Sequence, residues 1–193
     1  EARNGLPRDL LRSVNSTNPD RNSWAQFERS EVSFDVFCGL FESECRELGH
    51  AVDARVVMSM MAGTVRPQMV EAIRRCRDRF VVACLTNNFV SSARPPARAN
   101  RADVAEVLAL FHHVVESSRV GVRKPDPRFY EIACELAGVC PDEVVFLDDL
   151  GTNLKPAKAL GMTTIKVGDP DEAIRTLQEV VGFRLAGLPA TAD

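Results

Sequence analysis

Ten residues constrain this chain more than any other stretch: Val144, Val145, Phe146, Leu147, Asp148, Asp149, Leu150, Gly151, Thr152 and Asn153. The apolar run from Val144 to Leu147 reads as a short buried strand. Two carboxylates stand side by side where it ends. Gly151 allows a tight turn, and Asn153 is the expected N-cap of a helix that stops before Gly161. Adjacent carboxylates repel each other, and an unpaired buried charge is costly. A divalent cation relieves both costs. Mg²⁺ held by carboxylates beside a phosphate is the usual hard-cation arrangement. The plain alternative is a solvated acidic turn.

A chain of 193 residues fits one domain, or a core with a small insertion. Its content, 45% apolar and 26% charged, suits an ordinary globular protein. The net charge of −3 argues against a nucleic-acid surface. No apolar run is long enough to span a bilayer, and no signal peptide is visible. The cysteines Cys38, Cys45, Cys76, Cys84, Cys134 and Cys140 form no C-x-x-C pair. Reduced, mostly buried thiols in a cytoplasmic protein fit this pattern better than a zinc site or a disulfide framework. The expectations are a cytoplasmic location and no nucleic-acid or membrane partner.

The first third reads as helices. One spans Pro7 to Val14, and a polar loop follows. Asn22 or Ser23 caps a second helix from Trp24 to Ser30. Ser33 caps a third that runs to Leu48, with Phe34, Phe37, Leu40, Phe41, Cys45 and Leu48 on one face. Gly49 stops it, and Asp53 opens a fourth in which Val56, Val57, Met60 and Met61 cluster. From Gly63 the pattern changes. Pro67 begins a helix with Met69, Val70, Ile73 and Cys76 inward. Phe80 to Leu85 is a continuous apolar run, as in a parallel strand covered on both faces. Ser91 to Asn100 is a loop, Arg101 to Phe111 a helix, and Val114 to Ser117 a strand. Asp126 caps a helix starting at Pro127, with Phe129, Tyr130, Ala133 and Leu136 inward. After the central stretch come a strand from Thr163 to Val167 and a helix from Asp169 to Val181. This predicts an α/β fold: a Rossmann-like parallel sheet over 63–184, a helical cap over 1–62 and a flexible tail over 185–193.

Three polar signals fall at comparable places. Thr86 and Asn87 end one strand, Asp148 and Asp149 end another, and Lys124 lies just before the helix at Pro127. Ligands of open parallel sheets bind beyond the carboxyl ends of the strands. Thr86 offers a hydroxyl, and Lys124 is a point charge near a helix N-terminus. Hydroxyl and lysine for phosphate, with carboxylates for a cation, suggest phosphoryl chemistry. Taken singly, Thr86 reads more often as a strand-end cap and Lys124 as a surface lysine.

Leu85 to Asn88, Gly121 to Pro127, and Phe146 to Lys155 resemble motifs two, three and four of the haloacid dehalogenase superfamily. The similarity extends to the phosphatase domain of soluble epoxide hydrolase and to a domain of acyl-CoA dehydrogenase fusion proteins. The resemblance implies that Thr86 and Asn87 bind the transferring phosphoryl group and that Lys124 neutralises it and positions the nucleophile. It makes Asp149 a Mg²⁺ ligand, puts Asp148 beside the metal, and lets Asn153 orient Lys124 or the loop. It also implies a phosphatase of a small phosphorylated metabolite or lipid phosphate, with a possible homodimer.

The superfamily's first motif, an apolar strand followed by Asp-x-Asp, has no match. Asp9 precedes a helical Leu-Leu and Asp20 follows Pro19, so neither ends an apolar strand. In the superfamily that strand lies in mid-sheet and its first Asp is the nucleophile. Its absence would leave a gap of about 10 Å between strands. The expectation is that a further segment, upstream of Glu1, carries the nucleophile. Two alternatives stand beside the phosphatase. One is a catalytically incomplete binding domain. The other is a haloacid dehalogenase, which the paired carboxylates disfavour because those enzymes need no metal.

Overall fold

Capping residues punctuate the chain into α1 (Leu10–Ser16), α2 (Ser23–Glu28), α3 (Phe34–Glu47), α4 (Ala54–Met60), α5 (Pro67–Arg77), β1 (Ala83–Thr86), α6 (Arg101–Leu108) and β2 (His113–Glu116). They continue with α7 (Ser117–Val120), α8 (Pro127–Ala137), a 3₁₀ turn (Pro141–Glu143), β3 (Val145–Asp148), α9 (Gly151–Ala159), β4 (Thr163–Lys166) and α10 (Pro170–Val181). The structure, a computed structural model, describes residues 9–60, 64–88 and 101–185. The expected loop at Ser91 to Asn100, the start of the first helix at Pro7, and Met61 lie outside the described residues. No helix among the described residues is long and apolar enough to cross a membrane.

The described residues fall into two units. The first holds 9–60, 87–88 and 116–123. Asn22 caps α2 by accepting the Ala25 N–H at 2.8 Å, and Ser33 caps α3 by accepting the Val36 N–H at 3.3 Å. Ser23, the alternative cap, instead donates its buried hydroxyl to Glu44 Oε2 at 2.6 Å. Phe27, Phe34, Phe37 and Phe41 are buried together, with Phe27 and Phe37 stacked at 4.4 Å. Two expectations fail here. Leu40 and Leu48 are exposed, because the stripe of α3 turns toward Cys38 and leaves them at its border. In α4 the core takes Ala54, Val57 and Met58, so Val56 and Met60 face outward. The unit also takes in residues that the sequence assigns to the core. Ser117 Oγ donates to Glu28 O at 2.7 Å, and Arg123 pairs with Glu28 at 2.8 Å.

The second unit holds 64–86, 101–115 and 124–185. Pro67, Pro127 and Pro170 each open a helix, where a missing N–H costs nothing. β3 and β4 are parallel, with Val145 opposite Thr163 and Asp148 opposite Lys166. The described strands form two separate ladders, β1 with β2 and β3 with β4. Phe80 and Val81 do not join β1 and are exposed. Phe80 still belongs to the exit of α5, its N–H bonded to Cys76 O, and its ring stacks on Phe183 at 5.9 Å. Leu136, expected inward, is exposed, while Cys134 of α8 is buried in its place. Leu185, expected to begin a frayed tail, is fully buried against Ala72 and Ile174, and its N–H donates to Gln178.

Candidate active site

Lys124 ties two strands together at their carboxyl ends. Its Nζ donates to Leu85 O at 3.0 Å, at the end of β1, and to Asp148 Oδ2 at 2.7 Å, at the end of β3. Both side chains are nearly buried, 11% and 5% exposed. At such depth an ion pair stands only if its remaining polar atoms are satisfied. They are. Asp148 Oδ1 accepts from the Leu150 N–H at 2.8 Å and from Asn153 Nδ2 at 3.0 Å. The ammonium also lies 5.7 Å from the Phe146 ring centroid, within cation–π range.

Asn153 is not the N-cap. Leu150 holds that position, and α9 begins at Gly151. Asn153 sits in the first helical turn, buried, and spends its amide on Asp148. The helix starts three residues earlier than the cap preference of Asn suggests, because Gly151 enters the helix itself.

Tyr130 completes the network. Its hydroxyl donates to Asn153 O at 2.7 Å. Burial, and secondarily the Asp148 charge, push the Tyr130 hydroxyl's pKa well above its ordinary value, so it stays a proton donor. Sequence reading placed Tyr130 only in an inward stripe. The available signal was that a buried tyrosine needs a partner for its hydroxyl.

The remaining candidates differ from these. Asp149, next to Asp148, is exposed, and no hydrogen bond or ion pair engages it among the described residues. Thr86 ends β1 partly buried, with no side-chain hydrogen bond among the described residues. Asn87 falls with the first unit, as does Asn88, whose N–H donates to Ser117 Oγ at 3.0 Å.

These residues fit a weakly caged cation. Among the described residues no three His, Cys, Asp or Glu side chains form a metal-binding group. Mg²⁺ does not require one, since it keeps several waters and takes one or two carboxylates with substrate phosphate. Asp149 would offer a carboxylate that has no competing partner among the described residues. Asp148 is already committed to Lys124, Asn153 and a backbone N–H.

Comparison with known proteins fits this geometry. Bifunctional epoxide hydrolase 2 of Sus scrofa is 32% identical over 98% of this chain, which spans 36% of that protein. Acyl-CoA dehydrogenase family member 10 of Mus musculus is 33% identical over 99% of the chain, which spans 18% of it. A sesquiterpene phosphatase of Aspergillus oryzae is 25% identical over 91% of the chain and 85% of its own length. The solved structure of a HAD family enzyme of Bacteroides thetaiotaomicron, a magnesium complex, shares the fold at TM-score 0.55 and 21% identity, covering 86% of this chain and 88% of that one. The haloacid dehalogenase-like hydrolase profile matches residues 22–161, and this chain belongs to that family of hydrolases.

Proposed function

We propose that this chain is part of a Mg²⁺-dependent phosphatase acting on a small phosphorylated metabolite or lipid phosphate. The observation that carries the reading is Lys124, anchored between Leu85 O and Asp148 at the carboxyl ends of β1 and β3. An ammonium fixed at both sides stays in place for a phosphate without reorganising. Thr86, the residue after Leu85, supplies a hydroxyl from the same strand end, and Asn87 follows it. Among the relatives, the sesquiterpene phosphatase matches along most of both chains.

The nucleophile of this reading is an aspartate in a segment upstream of the 193 residues. Its carboxylate oxygen bonds to phosphorus, the bond from phosphorus to the substrate's ester oxygen breaks, and the alcohol leaves with a proton from the second aspartic acid of the same Asp-x-Asp segment. Water then releases inorganic phosphate and regenerates the carboxylate. Lys124 and Thr86 hold the phosphoryl oxygens throughout. Asp149 would hold Mg²⁺, which offsets charge on those oxygens when bound. Asp148 orients Lys124, and Asn153 and Tyr130 orient Asp148.

The test is hydrolysis of p-nitrophenyl phosphate by the chain joined to its upstream segment. The expected result is turnover that needs Mg²⁺ and falls at least a hundredfold in Asp149→Asn. Turnover unchanged by chelation would reject the metal role. Phosphate binding without turnover would favour the second reading, a binding domain, which rests on the lack of an aspartate at any described strand end other than Asp148 and Asp149.

A further inference from the structure

The chain passes from the second unit to the first between Thr86 and Asn87, and from the first to the second between Arg123 and Lys124. Inside the first unit, the segments that carry Asn87 and Arg123 are both tied to one residue, Glu28, the last of α2. Glu28 Oε2 lies 2.8 Å from Arg123 Nε, and the two side chains are only 12% and 20% exposed. This contact is an ion pair and not an aligned hydrogen bond. Arg123 Nη1 donates to Pro19 O at 3.1 Å. The backbone oxygen of Glu28 accepts from Ser117 Oγ, which is fully buried. The same Oγ accepts the Asn88 N–H at 3.0 Å. The Asn88 side chain is held as well: its Oδ1 accepts from Ser118 Oγ at 3.0 Å, and its Nδ2 donates to Glu116.

A peptide N–H is coplanar with the carbonyl of the residue before it. Fixing the Asn88 N–H therefore fixes the plane of the Asn87–Asn88 peptide. A hydroxyl carries one proton, and Ser117 has two acceptors in reach, Glu28 O at 2.7 Å and Asn88 O at 3.0 Å. The nearer, Glu28 O, takes the proton, and that turns the lone pairs of Ser117 toward the Asn88 N–H. Glu28 itself stands on a rigid base. Phe27, the residue before it, is buried and stacked on Phe37, and Asn22 caps the start of the same helix. The Arg123 pair is mostly shielded from water, so salt screens it less than a surface pair.

We propose that Glu28 is a positioning residue for the candidate phosphate site. Its carboxylate fixes the segment that ends at Arg123, and its carbonyl fixes Asn87 through Ser117. Lys124 follows Arg123 directly. The ion pair sets where the Lys124 backbone begins, while Leu85 O and Asp148 set where its ammonium ends. The inference deepens the phosphatase reading and rests on one part of it, that Asn87 and Lys124 bind phosphate.

The probe is inorganic phosphate, titrated calorimetrically with Mg²⁺ present into the chain joined to its upstream segment, and p-nitrophenyl phosphate supplies the kinetics. Glu28→Gln keeps the shape of the side chain and removes its charge. It should raise the phosphate Kd about tenfold and KM in parallel, with kcat lowered less than about threefold, the pattern of binding lost equally from ground and transition states. Ser117→Ala strands no charge and should raise Kd about threefold. If Glu28→Gln does not fold, Ser117→Ala decides the question. The control is Phe37→Leu, which loosens the same core without touching these bonds and should leave Kd within about twofold. Unchanged Kd in both Glu28→Gln and Ser117→Ala, in a protein that turns over, would overturn the inference and leave the phosphatase reading standing. Equal weakening by Phe37→Leu would also overturn it, as general loosening of the first unit. Binding that depends on Glu28 in a protein without turnover would uphold the inference and remove the phosphatase reading. With neither binding nor turnover in the unmodified protein, both fall.

Discussion

The buried side chains of the first unit form one cluster, and those of the second are divided between two. Phe37 and Phe41 are essentially without exposure, and Phe27, Phe34 and Trp24 complete a ring cluster around them. In the second unit, β1 is partly exposed along its whole length, and its buried residues fall into separate clusters around Tyr130 and Ile174. The difference lies in what each fold type demands. A helix satisfies its own backbone and needs a partner only for one stripe of side chains. A strand needs neighbours on both edges, so an unpaired edge opens the interior. The link from the end of β1 to the end of β3 is polar: the Lys124 bridge.

Breaking that bridge should produce the largest effect. Lys124→Met leaves Asp148 a buried carboxylate with its main partner gone, a change that typically costs about 3–5 kcal/mol. Urea unfolding followed by circular dichroism measures it. Adding Asp148→Asn should recover part of the loss, since the stranded charge goes with it. The first unit offers the contrasting ion pair, Arg55 with Asp35, in which both side chains are more than half exposed. Arg55→Met should leave the unfolding midpoint unchanged within error. Equal losses at Lys124 and Arg55 would contradict the contrast between the units.

Truncating apolar side chains tests the cores directly. Phe37→Ala empties a site with no exposure and should cost about 3–5 kcal/mol. Ile73 is partly buried and borders a cavity of about 600 Å³ in the second unit. Ile73→Ala removes fewer contacts and should cost about 1 kcal/mol.

Tyr130→Phe deletes one buried hydrogen bond, that to Asn153 O, and should cost about 1 kcal/mol. Its pH signature has a definite sign. The folded-state pKa is raised, so this contribution is whole below the ordinary tyrosine pKa of about 10 and declines as pH rises above it. Unfolding free energy measured from pH 9 to 11 should fall, and the fall should be shallower in Tyr130→Phe.

Much of this was legible in the sequence, and the reasons are local. Asp126 and Asp169 cap helices whose first residues are prolines, a signal carried by two adjacent positions. The strand ends at Thr86 and Asp148 were marked by an apolar run stopping at a polar residue. The family followed because three such motifs recur in order. What failed needed the third dimension. Leu40, Leu48 and Leu136 lie at the margins of helical stripes, where a small rotation about the axis decides exposure. Asn153 has a strong cap preference, yet a buried carboxylate five residues earlier was the better partner for its amide. The commitment of Asp148 to Lys124 could not be read from spacing, because 24 residues separate them.

The last contrast is between adjacent residues. Asp148 and Asp149 are chemically identical and look like one motif, but only Asp148 is buried and bonded. Asp149 is exposed with no partner among the described residues, so Asp149→Asn should change stability by less than about 0.5 kcal/mol. Asp148→Asn should destabilise far more, because it unpairs Lys124 while keeping the shape of the side chain. Together the two variants separate scaffold from chemistry. If Asp149→Asn melts like the unmodified chain while Mg²⁺ no longer supports hydrolysis in the protein joined to its upstream segment, Asp149 serves the cation and Asp148 serves the lysine. A comparable loss of stability in both would mean that the pair acts as a single structural unit, and the division of roles would fall.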